Sequence, residues 1–212
     1  MTGVIRDLRP SNKAAFVAVM AEAFAHDPLF VAAFGDDDGS PGNRKEIEVF
    51  LSFLLDMTRI IGGMQRGLFV DGKLAGCSLV EPPAGNHVAQ ACRTLASVLR
   101  FLPVAIRLPW RTTVLLNGYM KATRAAAPHL PHHYLALVGV LPERQGQGLG
   151  RRLVEDAFEQ SKWHKRSKGL ALDTENAGNA TLYRRWGFEM RETVDIGGVT
   201  AYCMFRPSGE RS

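Results

Sequence analysis

The chain has 212 residues, of which 46% are hydrophobic and 22% charged, a balance that excludes a disordered or fibrous protein and leaves room for a packed core. No apolar run approaches the ~18–20 residues of a membrane span. The opening MTGVIRDLRP has no apolar stretch of the secretory kind, so no membrane and no export are expected. Three scattered cysteines (Cys77, Cys92, Cys203) show neither a disulfide framework nor metal-ligand spacing, which points to a reducing cytoplasm.

Charge is unevenly placed. Lys and Arg total 26 against 21 Asp and Glu, a formal net charge of +5. From Pro82 to Pro142 there is no acid at all, while Arg93, Arg100, Arg107, Arg111, Lys121 and Arg124 fall in that stretch. The surplus is therefore a property of one segment, and the rest of the chain is close to neutral.

In chain order, Val4 to Arg9 predicts a first strand, and Pro10-Ser11-Asn12 supplies stop and N-cap chemistry. Ala14 to Ala25 predicts a helix with Phe16, Val17, Met20 and Phe24 at helical spacing. Asp27-Pro28 starts a short helix through Phe34, Gly35 to Asn43 reads as a loop, and Lys45 to Ile61 as a longer amphipathic helix. Two strands around Asp71-Gly72, up to Val80, form a predicted hairpin. The acid-free segment then predicts a helix striped by Val88, Ala91, Leu95, Leu99 and Leu102, with a second over Trp110 to Ala126 after Pro103 and Pro109. Tyr134 to Leu141 is a continuous apolar strand. A glycine loop opens a helix to about Trp163. Leu170 to Asp173 is a strand, Asn179 to Trp186 a short helix, and Phe188 to Phe205 a closing hairpin. The order predicts one α/β (α+β) domain over residues 1–212 with a helical insertion at 82–131.

The sharpest signal is the strand, glycine loop and helix from Leu135 to Phe158. Glycines let successive N–H groups point inward, and a helix start adds a positive dipole end, an arrangement that suits a pyrophosphate. A dinucleotide fingerprint fails because Arg151 stands where its third glycine belongs, and no Gly-Lys-Ser/Thr of a Walker loop occurs. Arg151 and Arg152 in the first helical turn are unfavourable beside the macrodipole unless a polyanion binds there.

Gln145-Gly146-Gln147-Gly148-Leu149-Gly150, followed by Asn176, Asn179, Leu182-Tyr183 and Gly187-Phe188, resembles the two motifs of the GNAT (GCN5-related) N-acetyltransferase family. The likeness covers about residues 132 to 190. The stretch from His132-His133-Tyr134-Leu135 to Pro142 looks most like the puromycin N-acetyltransferase type. The resemblance implies a central, mixed, mostly antiparallel twisted sheet flanked by helices, and acetyl-CoA as cosubstrate without a metal. It implies that Val138 and Val140 meet the pantetheine arm, that Gln145, Gly146, Gln147, Gly148 and Gly150 offer amides to the pyrophosphate, and that Arg144, Arg151 or Arg152 reach phosphates. Asn179 is carried over with the second motif. It further implies direct transfer to the primary amine of a small molecule in a ternary complex. A coenzyme-binding regulatory module without turnover, and acetylation of a protein or peptide amine, are the other readings.

Acetyl transfer needs a neutral amine, a polarised thioester and a protonated leaving thiolate. Tyr183 matches the family's tyrosine near the coenzyme sulfur, and a phenol near pKa 10 can donate to a thiolate. For the base, His132 is the first candidate, because an imidazole titrates near neutrality. His133, Glu175, Glu81 and Asp27 compete, and so does an amine that arrives neutral. His132-His133 lacks a third ligand at metal spacing. Arg93 and Arg100 share a helix face, which reads as solvated surface or as a wall of the acceptor site. Trp110, Leu115, Leu116, Tyr119 and Met120 read as a lid or a homodimer contact. No nucleic-acid recognition motif accompanies the basic segment, so the charge by itself does not argue for that partner.

Overall fold

The computed structural model describes residues 3–35, 41–84 and 107–209. The predicted helix from Val88 to Leu102, with Cys92, Arg93 and Arg100, lies outside the described residues.

Seven strands form one sheet: β1 (Val4–Asp7), β2 (Met64–Val70), β3 (Lys73–Glu81), β4 (His133–Val140), β5 (Gly169–Thr174), β6 (Glu189–Ile196) and β7 (Val199–Pro207). Their spatial order is β1-β2-β3-β4-β5-β7-β6. Only the β4–β5 pair among these neighbours is parallel. The mixed, mostly antiparallel sheet expected from the sequence is therefore present. The helices are α1 (Lys13–Ala23), α2 (Pro28–Phe34), α3 (Pro41–Ile60), α4 (Trp110–Ala126), α5 (Leu149–Trp163) and α6 (Ala177–Arg185). Among the described residues no single helix is long and apolar enough to cross a membrane.

The sheet buries both faces. On one side α1, α2 and α3 bring Phe16, Met20, Phe30, Leu51 and Leu55 into one cluster with Cys77 and Leu79. On the other, α5 and α6 bring Val154, Phe158 and Tyr183 against Val80, Leu135, Leu170, Leu172 and Met204. The alternation of Leu79 and Val80 between the two clusters is the period-two geometry of a strand. Removal of such side chains from water is worth roughly 1.5–3 kcal/mol each. Cys77 and Cys203 are free and buried, and burial pushes both thiols up, Cys203 to about 12, so they serve as small apolar side chains.

Several boundaries move. The loop predicted through Asn43 gives way to helix at Pro41, a residue suited to a first turn because its missing N–H would have no helical partner there. β2 begins at Met64, earlier than its polar start suggested. Arg66 explains the extension: its guanidinium reaches Asp7 on β1 at 2.6 Å and Asp156 on α5 at 2.9 Å. Asn12 does not cap α1; its side chain accepts from the Arg9 N–H at 2.9 Å inside a tight turn.

Candidate active site

β4 and β5 pair only from His133 to Leu135 on β4 and from Leu170 to Leu172 on β5. Beyond that they part, and β4 continues alone along this edge while β3 holds its other side as far as Val140. The gap leaves backbone groups of β4 facing a groove. The chain then makes a tight turn over Pro142–Arg144 and enters α5 through Gly146 and Gly148. Both glycines have φ +73, a left-handed conformation that side chains resist, and a Cβ at either would meet nothing within 4 Å. Gly148 is the N-cap of α5 without a side-chain cap, and no acid stands in the first turn. The first N–H groups of α5 are thus unsatisfied by side chains and point, with the positive dipole end, at open space. This cradle fits the pyrophosphate of a coenzyme.

A cavity of about 650 Å³ runs along the cradle and the edge of β4. Val138, Val140, Gln145, Gly146, Gly148, Gly150, Arg151, Asn179 and Tyr183 line it, so the structure brings these predicted residues together. Arg144 and Gln147 are not among the lining residues. The Gln145 side chain donates to the Val140 carbonyl at 3.1 Å, which takes up the acceptor that the resemblance assigned to the pantetheine arm. Arg152 is held elsewhere, with its guanidinium on the Gly3 carbonyl at 2.5 Å.

A second cavity, about 120 Å³, lies on the other side of Tyr183. Phe24, Asp27, Val138, Asn179 and Tyr183 line both cavities, so the two meet there. Tyr183 projects from α6, which Asn176 starts by accepting from the Gly178 and Asn179 N–H groups. Trp186 and Phe188 pack edge-on to its ring at 5.4 and 5.8 Å between centroids. Burial, with Glu175, Asp173 and Asp27 nearby, raises the phenol's pKa, so it keeps its proton well above neutrality.

The second cavity is acidic. Asp27 caps α2, its Oδ1 accepting from Leu29 and Phe30 at 3.0 and 3.2 Å. Glu81 ends β3 and accepts from Arg124 at 2.7 Å. Asp173 and Glu175 stand at the end of β5. The Arg124 guanidinium lies 3.5 Å over the Tyr134 ring and 3.6 Å from Asp173. Tyr134 donates to Asp173, and the Tyr119 hydroxyl sits 2.5 Å from Asp173 and also against Glu175. That hydroxyl has one proton to give. When Asp173 receives it, Glu175 meets only the oxygen, and a protonated Glu175 completes the chain of bonds. Burial is the main cause that pushes Glu175 up to about 8, with Asp27 and Asp173 adding to it. Burial raises Asp27 as well, against the opposing pull of its two amide bonds and of Glu175.

The expectation for His132 needs correction. It stands six residues before Val138, which along a strand is about 20 Å. Its ring Nδ1–H donates to the Leu130 carbonyl, 2.6 Å away, and the ring packs on Phe205. His133 is buried against Ser167 at 2.9 Å, and burial lowers it to about 4. Neither lines the cavities that meet at Tyr183. The lid or dimer reading of α4 also changes: Leu116 and Tyr119 are buried inside the protomer and Met120 lines the acidic cavity, while Trp110 remains exposed. Tyr119, Tyr134 and Asp173 were not singled out for the site from the sequence. The signal for Tyr119 was its place on the apolar stripe of α4, which marks burial but not function.

Residues 112–190 match the family model of the acetyltransferase (GNAT) domain. The chain is 31% identical over 101 residues to the N-alpha-acetyltransferase RimI of Mycobacterium tuberculosis, a match covering 46% of this chain and 63% of that protein. The chain thus spans less than two thirds of the relative's length. A histone acetyltransferase HPA2-related protein from Corynebacterium glutamicum is 18% identical with a TM-score of 0.72, over 100% of this chain and 99% of that one. The PaiA N-acetyltransferase from Thermoplasma acidophilum, solved in complex with coenzyme A, is 16% identical with a TM-score of 0.59, over 98% of this chain and 99% of the other. At these identities the solved structures establish the fold alone, and the family model matches less than half of the chain.

Proposed function

We propose that the chain is an N-acetyltransferase that carries an acetyl group from acetyl-CoA to a primary amine in a direct ternary complex. The observation that carries this reading is the meeting of the amide-lined groove and the acidic cavity at Tyr183. One cavity suits a polyanion and the other an ammonium, and the shared residues define where the reacting atoms would touch.

The roles follow from chemistry. The amides of Gly146 to Gly150 and the start of α5 bind the pyrophosphate, with Arg151 beside them. The free edge of β4 at Val138 orients the pantetheine arm and offers an N–H to the thioester oxygen as it gains charge. Glu175, in its carboxylate form, takes a proton from the bound ammonium. The negative charge of Asp27 nearby helps Glu175 hold the arriving proton. Tyr183 holds a proton at the point where the thiolate departs. Asp173, held by Tyr119, Tyr134 and Arg124, keeps Glu175 in position. The small-molecule acceptor suggested by the likeness to the puromycin type belongs to this reading.

A protein or peptide amine is the second reading, favoured by the match to RimI, a protein named as an N-alpha-acetyltransferase. Thiol release from acetyl-CoA in the presence of a panel of amines and short peptides, with the product weighed by mass spectrometry, tests the activity. The expected result is a gain of one acetyl group on an amine. Coenzyme binding without product on any amine would contradict it.

A further inference from the structure

The acidic cavity does not end at its acids. On the side away from the coenzyme groove it opens toward a third cavity, about 410 Å³, between α3, α4 and the β3–β4 face. Phe50, Leu54, Leu116 and Met120 line both, together with Glu81 and Ala136. We propose, resting on the transferase reading, that the acceptor is a lipophilic primary amine. Its ammonium head sits between Asp27 and Glu175, and its alkyl or aryl body fills this third cavity.

Charge and polarity both select this class. The head region holds Asp27, Glu81, Asp173 and Glu175 against the single described guanidinium of Arg124, so a cation is complementary there. Farther along, the walls become mostly apolar: of the four polar side chains there, Asn117 stands at the exposed rim, the buried Thr113 hydroxyl has no partner among the described residues, and the other two are engaged. The Thr58 hydroxyl donates to the Leu54 carbonyl at 2.8 Å, and Glu81 is bonded to Arg124. A peptide acceptor would bring several amide groups into these walls, where the Thr113 hydroxyl can pair with one and the rest go unpaired, a loss of about tenfold or more in binding per group. A hydrocarbon body meets no such penalty. Size agrees: an apolar cavity of about 150 Å³ holds one benzene, so a space of about 410 Å³ admits a phenyl ring with its linker or a longer alkyl chain.

The chain-length dependence follows from burial. Each methylene moved from water into the cavity should raise kcat/KM about fourfold. The experiment is thiol release with ethylamine, butylamine, hexylamine, 2-phenylethylamine and an alanine-first heptapeptide. The expected result is hexylamine about 250-fold above ethylamine, with the peptide below both butylamine and 2-phenylethylamine. Filling the third cavity by Met57→Trp, or from the exposed side by Asn117→Trp, should reduce the hexylamine-to-ethylamine ratio to about tenfold or less. Calorimetric binding of acetyl-CoA reports that each variant is folded. A flat response along the alkyl series, or a peptide that outruns every alkylamine, overturns this inference while leaving the transferase intact. If neither amines nor peptide are acetylated, the transferase reading falls and this inference falls with it.

Discussion

The two cavities that meet at Tyr183 are built from different materials. The coenzyme groove is mostly backbone: the free edge of β4, the left-handed turns at Gly146 and Gly148, and the uncapped start of α5. Its pieces follow one another within a few residues of chain. The acceptor cavity is mostly side chains, and they come from Phe24 after α1 and from α2, α3, β3, α4, β4, α6 and the end of β5. Backbone amides bind any pyrophosphate in much the same way, so this side tolerates change in most side chains. Side chains gathered from so many elements can be exchanged one by one, so the other side is free to suit a particular acceptor.

This contrast can be broken by mutation, and the largest effect should fall on the acid side. Glu175→Gln removes the proton acceptor and should lower kcat/KM for the amine by about 100- to 10,000-fold. The acetyl-CoA Kd, measured by calorimetry, should stay within about twofold because Glu175 lies outside the coenzyme groove. Tyr183→Phe should reduce kcat by about 10- to 100-fold in single-turnover measurements, with a smaller change in coenzyme affinity; an unchanged kcat would remove Tyr183 from the acid role. On the other side, Gly148→Val forces a branched side chain into a left-handed conformation at a cost of about 1–2 kcal/mol. The acetyl-CoA Kd should rise by about 5- to 30-fold, while the acceptor KM stays near its wild-type value.

The smallest expected effect is on stability. A carboxyl whose pKa is raised in the folded chain holds a proton that the unfolded chain has already lost. Glu175, ordinarily near 4.5 and here about 8, therefore makes stability fall as pH rises between those values and level off above them. Glu175→Gln should flatten that decline. Thermal melts at pH 5 and pH 8 should show the wild-type Tm dropping by about 2–4 °C more than the variant's per kcal/mol of linkage.

The same division explains how much could be read in advance. The loop from Gln145 to Gly150 and the Asn176-to-Phe188 motif are local, and their positions in a strand–loop–helix and at the head of α6 were legible from residue order. The fold was legible for a related reason, since apolar periodicity and the Asp71-Gly72 turn act within short windows. The acceptor cavity was not. Asp27 was visible as a helix cap and Glu175 as a strand-end acid, yet nothing in the chain said that they line one cavity with Tyr119. His132 illustrates the converse. Its residue type suited a base, but a strand is stiff and places it about 20 Å from Val138. The basic surplus of the segment from Pro82 to Pro142 is partly absorbed as well: Arg124 turns inward to hold Glu81 and Asp173.

The central claim is that a buried carboxylate at the junction of the two cavities takes the acceptor's proton. The direct measurement is kcat/KM for a reactive amine as a function of pH from 6 to 10, in the wild type and in Glu175→Gln. The wild type should show an acid limb with its midpoint near 8, where the Glu175 carboxyl gives up its proton, and the variant a low profile without that limb. The same limb at the same pH in both proteins would contradict it.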